Sequence, residues 1–140
     1  FAVAFDANNC IAVAQVSQTN TILAALSSYI LGAYPLFLAP RTQGHCYLIG
    51  SRYLEELEQL VIFSVLDFMP EQRLSAISRY LLQLSQDSQF IIDSLPLAKT
   101  KLLNEYQLNS LDVENISSTA LEIFLKELSI SFISVIRETS

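Results

Sequence analysis

Between Ala7 and Pro40 the chain contains no Asp, Glu, Lys or Arg, although charged residues make up 16% of the whole. A solvated surface scatters charge along its length, so this gap excludes a segment that simply faces water. It has to be covered by the rest of the chain, by lipid or by another protein. The sequence also has no Trp, 3 Gly and 4 Pro. So few breakers favour long helices over many short strands joined by tight turns.

Other absences remove whole function classes. There are 8 Lys and Arg, dispersed along the chain, against 14 Asp and Glu. Phosphate backbones and anionic lipid surfaces are held by clustered cations, so neither nucleic acid nor an acidic membrane surface is an expected partner. The single His and two Cys fall short of a four-ligand structural zinc site. No Glu-x-x-His occurs, which excludes the di-iron bundle pattern. No two Gly lie within five positions, so no phosphate-cradling loop is present, and Gly-x-Ser-x-Gly and His-Glu-x-x-His are missing too. His45-Cys46 pairs a thiol with an imidazole, but sequence neighbours point apart whereas a dyad must converge. No catalytic residue, metal ligand or cofactor is therefore expected, and the chain reads as a non-enzyme.

What is present suits one domain. A length of 140 residues, 51% of them hydrophobic, is enough to bury a core without staples. Mean hydropathy is +0.39, which argues against disorder. The chain starts at Phe1, which suggests a processed or excised piece of a longer chain and slightly favours a secreted protein. Cys10 and Cys46 are a candidate disulfide. Asn115-Ile116-Ser117 matches the glycosylation acceptor pattern.

Periodicity then gives a helical reading. Phe1–Phe5 is a frayed strand or a first helical turn, and Asp6 or Asn8 caps a helix from about Asn9 to Val16. Thr21–Tyr34 carries Ile22, Leu23, Leu26, Ile30 and Leu31 on one face, and Pro35 ends it. Leu36–Ala39 is an apolar tail closed by Pro40, and Arg41–Gly44 is a loop. Ser51–Phe68 has the strongest helical pattern, with Leu54, Leu57, Val61 and Val65 aligned and Leu60–Leu66 apolar nearly all round. Arg52 and Glu56 are spaced for an ion pair on it. Pro70 opens a helix through Ser85 with Leu74, Ile77, Leu81 and Leu84 inward and Arg73 outward. Asp87 or Ser88 caps the next segment, Ser94 restarts it, Gln107–Leu111 is a loop, and Asp112 caps a short turn. Ser117–Arg137 is the last helix; its Leu128–Phe132 stretch alternates like a strand but keeps helical spacing.

The expected fold is all-α, a single compact bundle of five to seven helices. Leu23, Leu26, Ile30, Leu31 and Phe37 form the candidate interface, because a charge-depleted helix is what an interface core looks like. Thr21–Ala39 is nearly long enough to cross a bilayer, but Ser27, Ser28 and Pro35 argue for a covered hairpin instead. Nine aromatics, from Tyr29 to Phe90, offer an alternative: a pocket for an apolar small molecule.

Leu108-Asn109, Asn115-Ile116 and the Ser-Ser-Thr-Ala-Leu run from Ser117 resemble the helical repeat domains of spider silk proteins, over Leu103–Leu128. The resemblance implies a small helical module of a secreted structural polymer that works by assembly. The leading expectation is a non-catalytic module acting by self-association or by binding another protein.

Overall fold

The computed structural model describes residues 1–6, 8–105 and 110–139, with side chains as far as Phe132. It corrects the all-α expectation: beside six helices there is a four-stranded antiparallel sheet, so the fold is mixed helix and sheet, not a helical bundle. The strands are β1 (Ala2–Phe5), β2 (Cys10–Gln15), β3 (Leu48–Leu54) and β4 (Gln59–Val65), in spatial order β1-β2-β4-β3. The helices are α1 (Thr21–Gly32), α2 (Pro35–Thr42), α3 (Pro70–Gln86), α4 (Ser88–Glu105), α5 (Ser110–Glu114) and α6 (Ser118–Thr139).

Two helix expectations are overturned, for one physical reason. The helix expected over Asn9–Val16 is β2, and the one expected over Ser51–Phe68 is the end of β3, a tight turn and β4. A half-buried strand betrays itself by alternating apolar and polar residues. In Cys10–Gln15 and Gln59–Val65 both alternate sets are largely apolar, so that signal is missing. The β3–β4 turn, Glu55–Leu57, contains no Gly or Pro; Glu58 closes it at φ 51°. Such a turn leaves no mark that sequence reading looks for.

Register divides the sheet into two faces. Inward rows pair Cys10 with Ser64, Ala12 with Ile62, and Ala14 with Leu60. On the other side of β4, Ile49, Ser51 and Tyr53 meet the same three residues. Helices α1 and α3 pack on this inner face, and α6 packs on α3, α1 and α4. The small residues Ala12 and Ala14, both buried, let the helices approach β2 closely.

The remaining helices follow their sequence signals. Pro70 sits in the first turn of α3, whose Leu74, Ile77, Leu81 and Leu84 are buried. Asp87 caps α4, its Oδ1 accepting the Phe90 N–H at 3.2 Å. Helix α4 runs through Ser94 and Pro96 without a break. The loop expected at Gln107–Leu111 lies outside the described residues at 107–109, while Ser110 and Leu111 begin α5 and Asp112 lies within it. Ser117 caps α6, where Leu121, Phe124, Leu125, Leu128 and Phe132 are buried, in keeping with the helical spacing.

The charge-free segment is covered by its own chain. Leu26, Ile30, Leu31 and Phe37 are each at most 2% exposed, and Leu23 packs against them half-buried. As expected the α1 helix stops before Pro35, at Gly32; Pro35 then opens α2, so the expected apolar tail Leu36–Ala39 is helical and is bent by 46° from the preceding segment. Among the described residues no single helix is long and apolar enough to cross a membrane; only the bent pair Gln18–Gly32 and Pro35–Thr42 together has the length and composition.

Ser27 of α1 is buried, and its hydroxyl has no hydrogen-bond partner among the described residues. A buried unsatisfied hydroxyl costs roughly 1–3 kcal/mol. Ser27→Ala is expected to stabilise the fold by about 1 kcal/mol, read from urea midpoints at unchanged m-value.

Candidate interaction face

The outer face of the sheet is built from the alternate residues of the same strands. One row runs Ala2, Val13, Val61, Arg52 and the next Ala4, Ile11, Phe63, Gly50. Val65 and Leu48 form a third pair. Ala2, Ala4 and Ile11 are exposed, Val13, Phe63, Val65 and Leu48 are half-buried, and Val61 is buried at 8% exposure. Among the strand residues of this face Arg52 is the only charged one; Gln15 and Gln59 are polar at the same end. Gly50 leaves room for an aromatic ring: a Cβ there would lie 2.9 Å from Phe63 Cζ. An antiparallel sheet usually turns polar residues to water on its open side, and this one does not.

Near the end of the sheet that carries the β1–β2 turn further apolar side chains are exposed, Phe5 among them although it pairs with Cys10 in the inward row. Phe5, Tyr47, Leu66, Phe68 and Met69 are all more than half exposed, with Phe68 at 80%. Leu66 holds a left-handed backbone at φ 49°, a conformation that disfavours a residue with a Cβ. Two contacts from the β1–β2 turn fix it. Asn9 Oδ1 accepts the Leu66 N–H at 3.1 Å, and the Asn8 carbonyl accepts the Asp67 N–H at 2.6 Å.

Beneath that end lies a buried polar network. Asp67 is fully buried and accepts the Met69 N–H and the Arg73 Nε–H, both at 2.9 Å. Arg73 also donates to the Tyr80 hydroxyl at 3.3 Å. Burial pushes the Asp67 carboxyl up, but Arg73, the Met69 N–H and the Ser64 hydroxyl together hold it below the usual carboxylate range. Ser64 in turn lies 3.0 Å from Cys10 Sγ. The network ties β2, β4 and α3 together and sets the path of the Leu66–Met69 segment. Sequence reading turned Arg73 outward and missed it; the signal was an acid six positions before an arginine, across a helix start.

The cysteines are free and buried rather than joined. Burial pushes both thiols up, and the Asp67 charge adds to this, so neither is a ready thiolate. Both are expected to react with a thiol reagent in the native state far more slowly than in 6 M guanidinium, by stopped-flow absorbance. His45 is exposed while Cys46 points inward.

Of the residues expected to form an interface, Leu26, Ile30, Leu31 and Phe37 are core residues here, and Leu23 packs beside them. The aromatics are dispersed: Phe37 stacks edge-on to Tyr80 and Tyr34 meets Phe90 inside, whereas Tyr47 and Phe68 are on the surface. A groove of about 650 Å³ follows the β3 edge, lined by Ser28, Ser51, Arg52, Glu55 and Glu105 among others. Tyr29 donates its hydroxyl to Glu105 across it. Its walls are substantially hydroxylated and charged, which does not suit an apolar ligand. Among the described residues no cluster of His, Cys, Asp or Glu could hold a metal ion.

Compared with known proteins, the chain matches no family model, no curated protein and no solved structure.

Proposed function

We propose that this chain is a non-catalytic interaction module that binds a protein surface through the outer face of its sheet. One observation carries the reading: the strand residues in three rows of an open antiparallel face are apolar apart from Arg52, and Asp6, just past β1, is the one acid that joins these rows. Water-facing sheets avoid this pattern because it leaves apolar area unburied.

Magnitudes suggest a reversible contact. Four strands about 4.8 Å apart and about six residues at ~3.4 Å span roughly 400 Å². Burying that area contributes on the order of 10 kcal/mol, against an association cost of the same order. A standard interface takes about 800 Å² per partner, so the exposed side chains around Phe68 have to join it. With gain and cost of the same order, the contact is expected to be weak and reversible.

Ile11→Lys tests the reading, because Ile11 is 39% exposed at the centre of the face and its loss leaves the core intact. Light scattering on a concentration series, with and without any co-purifying protein, should show association lost while circular dichroism stays unchanged. Association that survives Ile11→Lys at full strength contradicts the proposal.

A further inference from the structure

We infer that the occupant of this face is a second copy of the same chain, packed sheet on sheet with the strands crossing near a right angle and two reciprocal Asp6–Arg52 ion pairs. The inference rests on the reading of the outer face as a binding surface. It comes from where that face keeps its charges.

Asp6 follows β1 directly and continues the outward set Ala2, Ala4. It borders the shallow depression floored by Ala4, Ile11, Phe63 and Val65. The Asp6 N–H donates to the Asn9 carbonyl, which extends the β1–β2 ladder by one step. Asp6 Oδ1 accepts the Asn8 and Asn9 N–H groups at 2.8 Å each, and these bonds, the Asn8 one foremost, hold the carboxyl below its usual range. Oδ2 has only a contact of 3.4 Å from Asn9 Nδ2, so it is open to a cation. Arg52 makes no ion pair among the described residues.

Register places the two charges. Carrying the pairings one step outward puts Asp6 in the row of Val65 and Leu48. Arg52 lies on the opposite edge strand, four residues beyond Leu48. The separation is about 14 Å across the strands and about 13 Å along them. Asp6 and Arg52 therefore occupy opposite corners of a nearly square patch whose centre falls between Ile11 and Phe63.

A two-fold axis lying in the face along the other diagonal exchanges those corners. Asp6 of each copy then meets Arg52 of the other, and Ile11 and Phe63 meet their counterparts at the middle. The same operation turns the strand direction by about 90°, which is the orthogonal class of sheet packing. Charge balance singles out this face for self-pairing. The chain carries a net charge of −6, so most approaches of two copies are repulsive, whereas the three rows of this face present one acid and one base, with Glu55, Glu56 and Glu105 sharing the edge groove beside Arg52.

Mixing charge-reversed variants tests the arrangement. Sedimentation velocity at about 5–500 μM, a range suited to a weak, reversible contact, should show the wild type dimerising. Because each substitution breaks two pairs by symmetry, Arg52→Glu and Asp6→Lys should each weaken it by about tenfold or more. Asp6→Asn keeps the turn acceptor and removes only the charge; it should weaken the dimer less, with unchanged thermal stability. An equimolar mixture of Arg52→Glu and Asp6→Lys restores both pairs and should form a heterodimer near wild-type strength. A wild type that stays monomeric throughout overturns self-pairing but not the binding face. A dimer that ignores Ile11→Lys overturns both. A dimer lost in Ile11→Lys but indifferent to the charge variants and their mixture overturns the orthogonal register alone.

Discussion

Replacing Asp67 with Ala is expected to lower the free energy of unfolding by about 3–5 kcal/mol, the cost of stranding a charge whose partner has gone. The Arg73 side chain is 13% exposed and its Nε points at Asp67, so it cannot turn to water without leaving the helix–sheet junction. The Met69 N–H loses its acceptor as well. Adding Arg73→Met to Asp67→Ala should recover a good part of the loss, since an apolar pair leaves no charge buried. Urea unfolding of the two single variants and the double variant measures this.

The same carboxylate predicts the acid limb of stability. Its folded-state pKa is held below the ordinary value of about 3.9, so the folded state favours the ionised form. The stabilisation is complete above the unfolded value and is lost as pH falls through the folded one. The wild type should lose stability steadily on acidification below about pH 5, and Asp67→Ala should show a shallower slope over that range.

Phe37→Ala is expected to cost about 3–5 kcal/mol. Phe37 is fully buried in α2 with its ring 5.7 Å from that of Tyr80. The prediction separates two accounts of the charge-free segment. If α1 and α2 were an interface, the substitution would weaken association and spare the monomer. As a core residue, Phe37 should lower the thermal midpoint of the dilute protein steeply and leave the outer sheet face unchanged.

Much of the helical half was legible. The spacing of Leu74, Ile77, Leu81 and Leu84 gave α3, and that of Leu121 through Phe132 gave α6, because each of these helices has one apolar stripe and one polar face. The strands were illegible for the reason that makes them interesting. Ile11, Val13, Phe63 and Val65 are apolar on the side that water reaches, so β2 and β4 show no alternation. A continuous apolar run of that length reads equally well as a buried helix. The Asp6–Asn9 turn compounded the error, since an Asx turn and a helix cap use the same residues. The surface that hid the fold from sequence reading is thus the surface now assigned to binding. The Asp67–Arg73 pair escaped notice because its burial depends on how α3 is laid against β2 and β4.

The central claim is that the open face of the sheet, not the charge-free helices, meets the partner. Methyl NMR over a concentration series tests it most directly. Resonances of Ile11, Val13, Val61, Val65 and Leu48 should shift together as concentration rises, while those of Leu26, Ile30 and Leu31 stay fixed. Shifts centred on the α1 leucines, or no shifts on the sheet face while the protein associates, would contradict it.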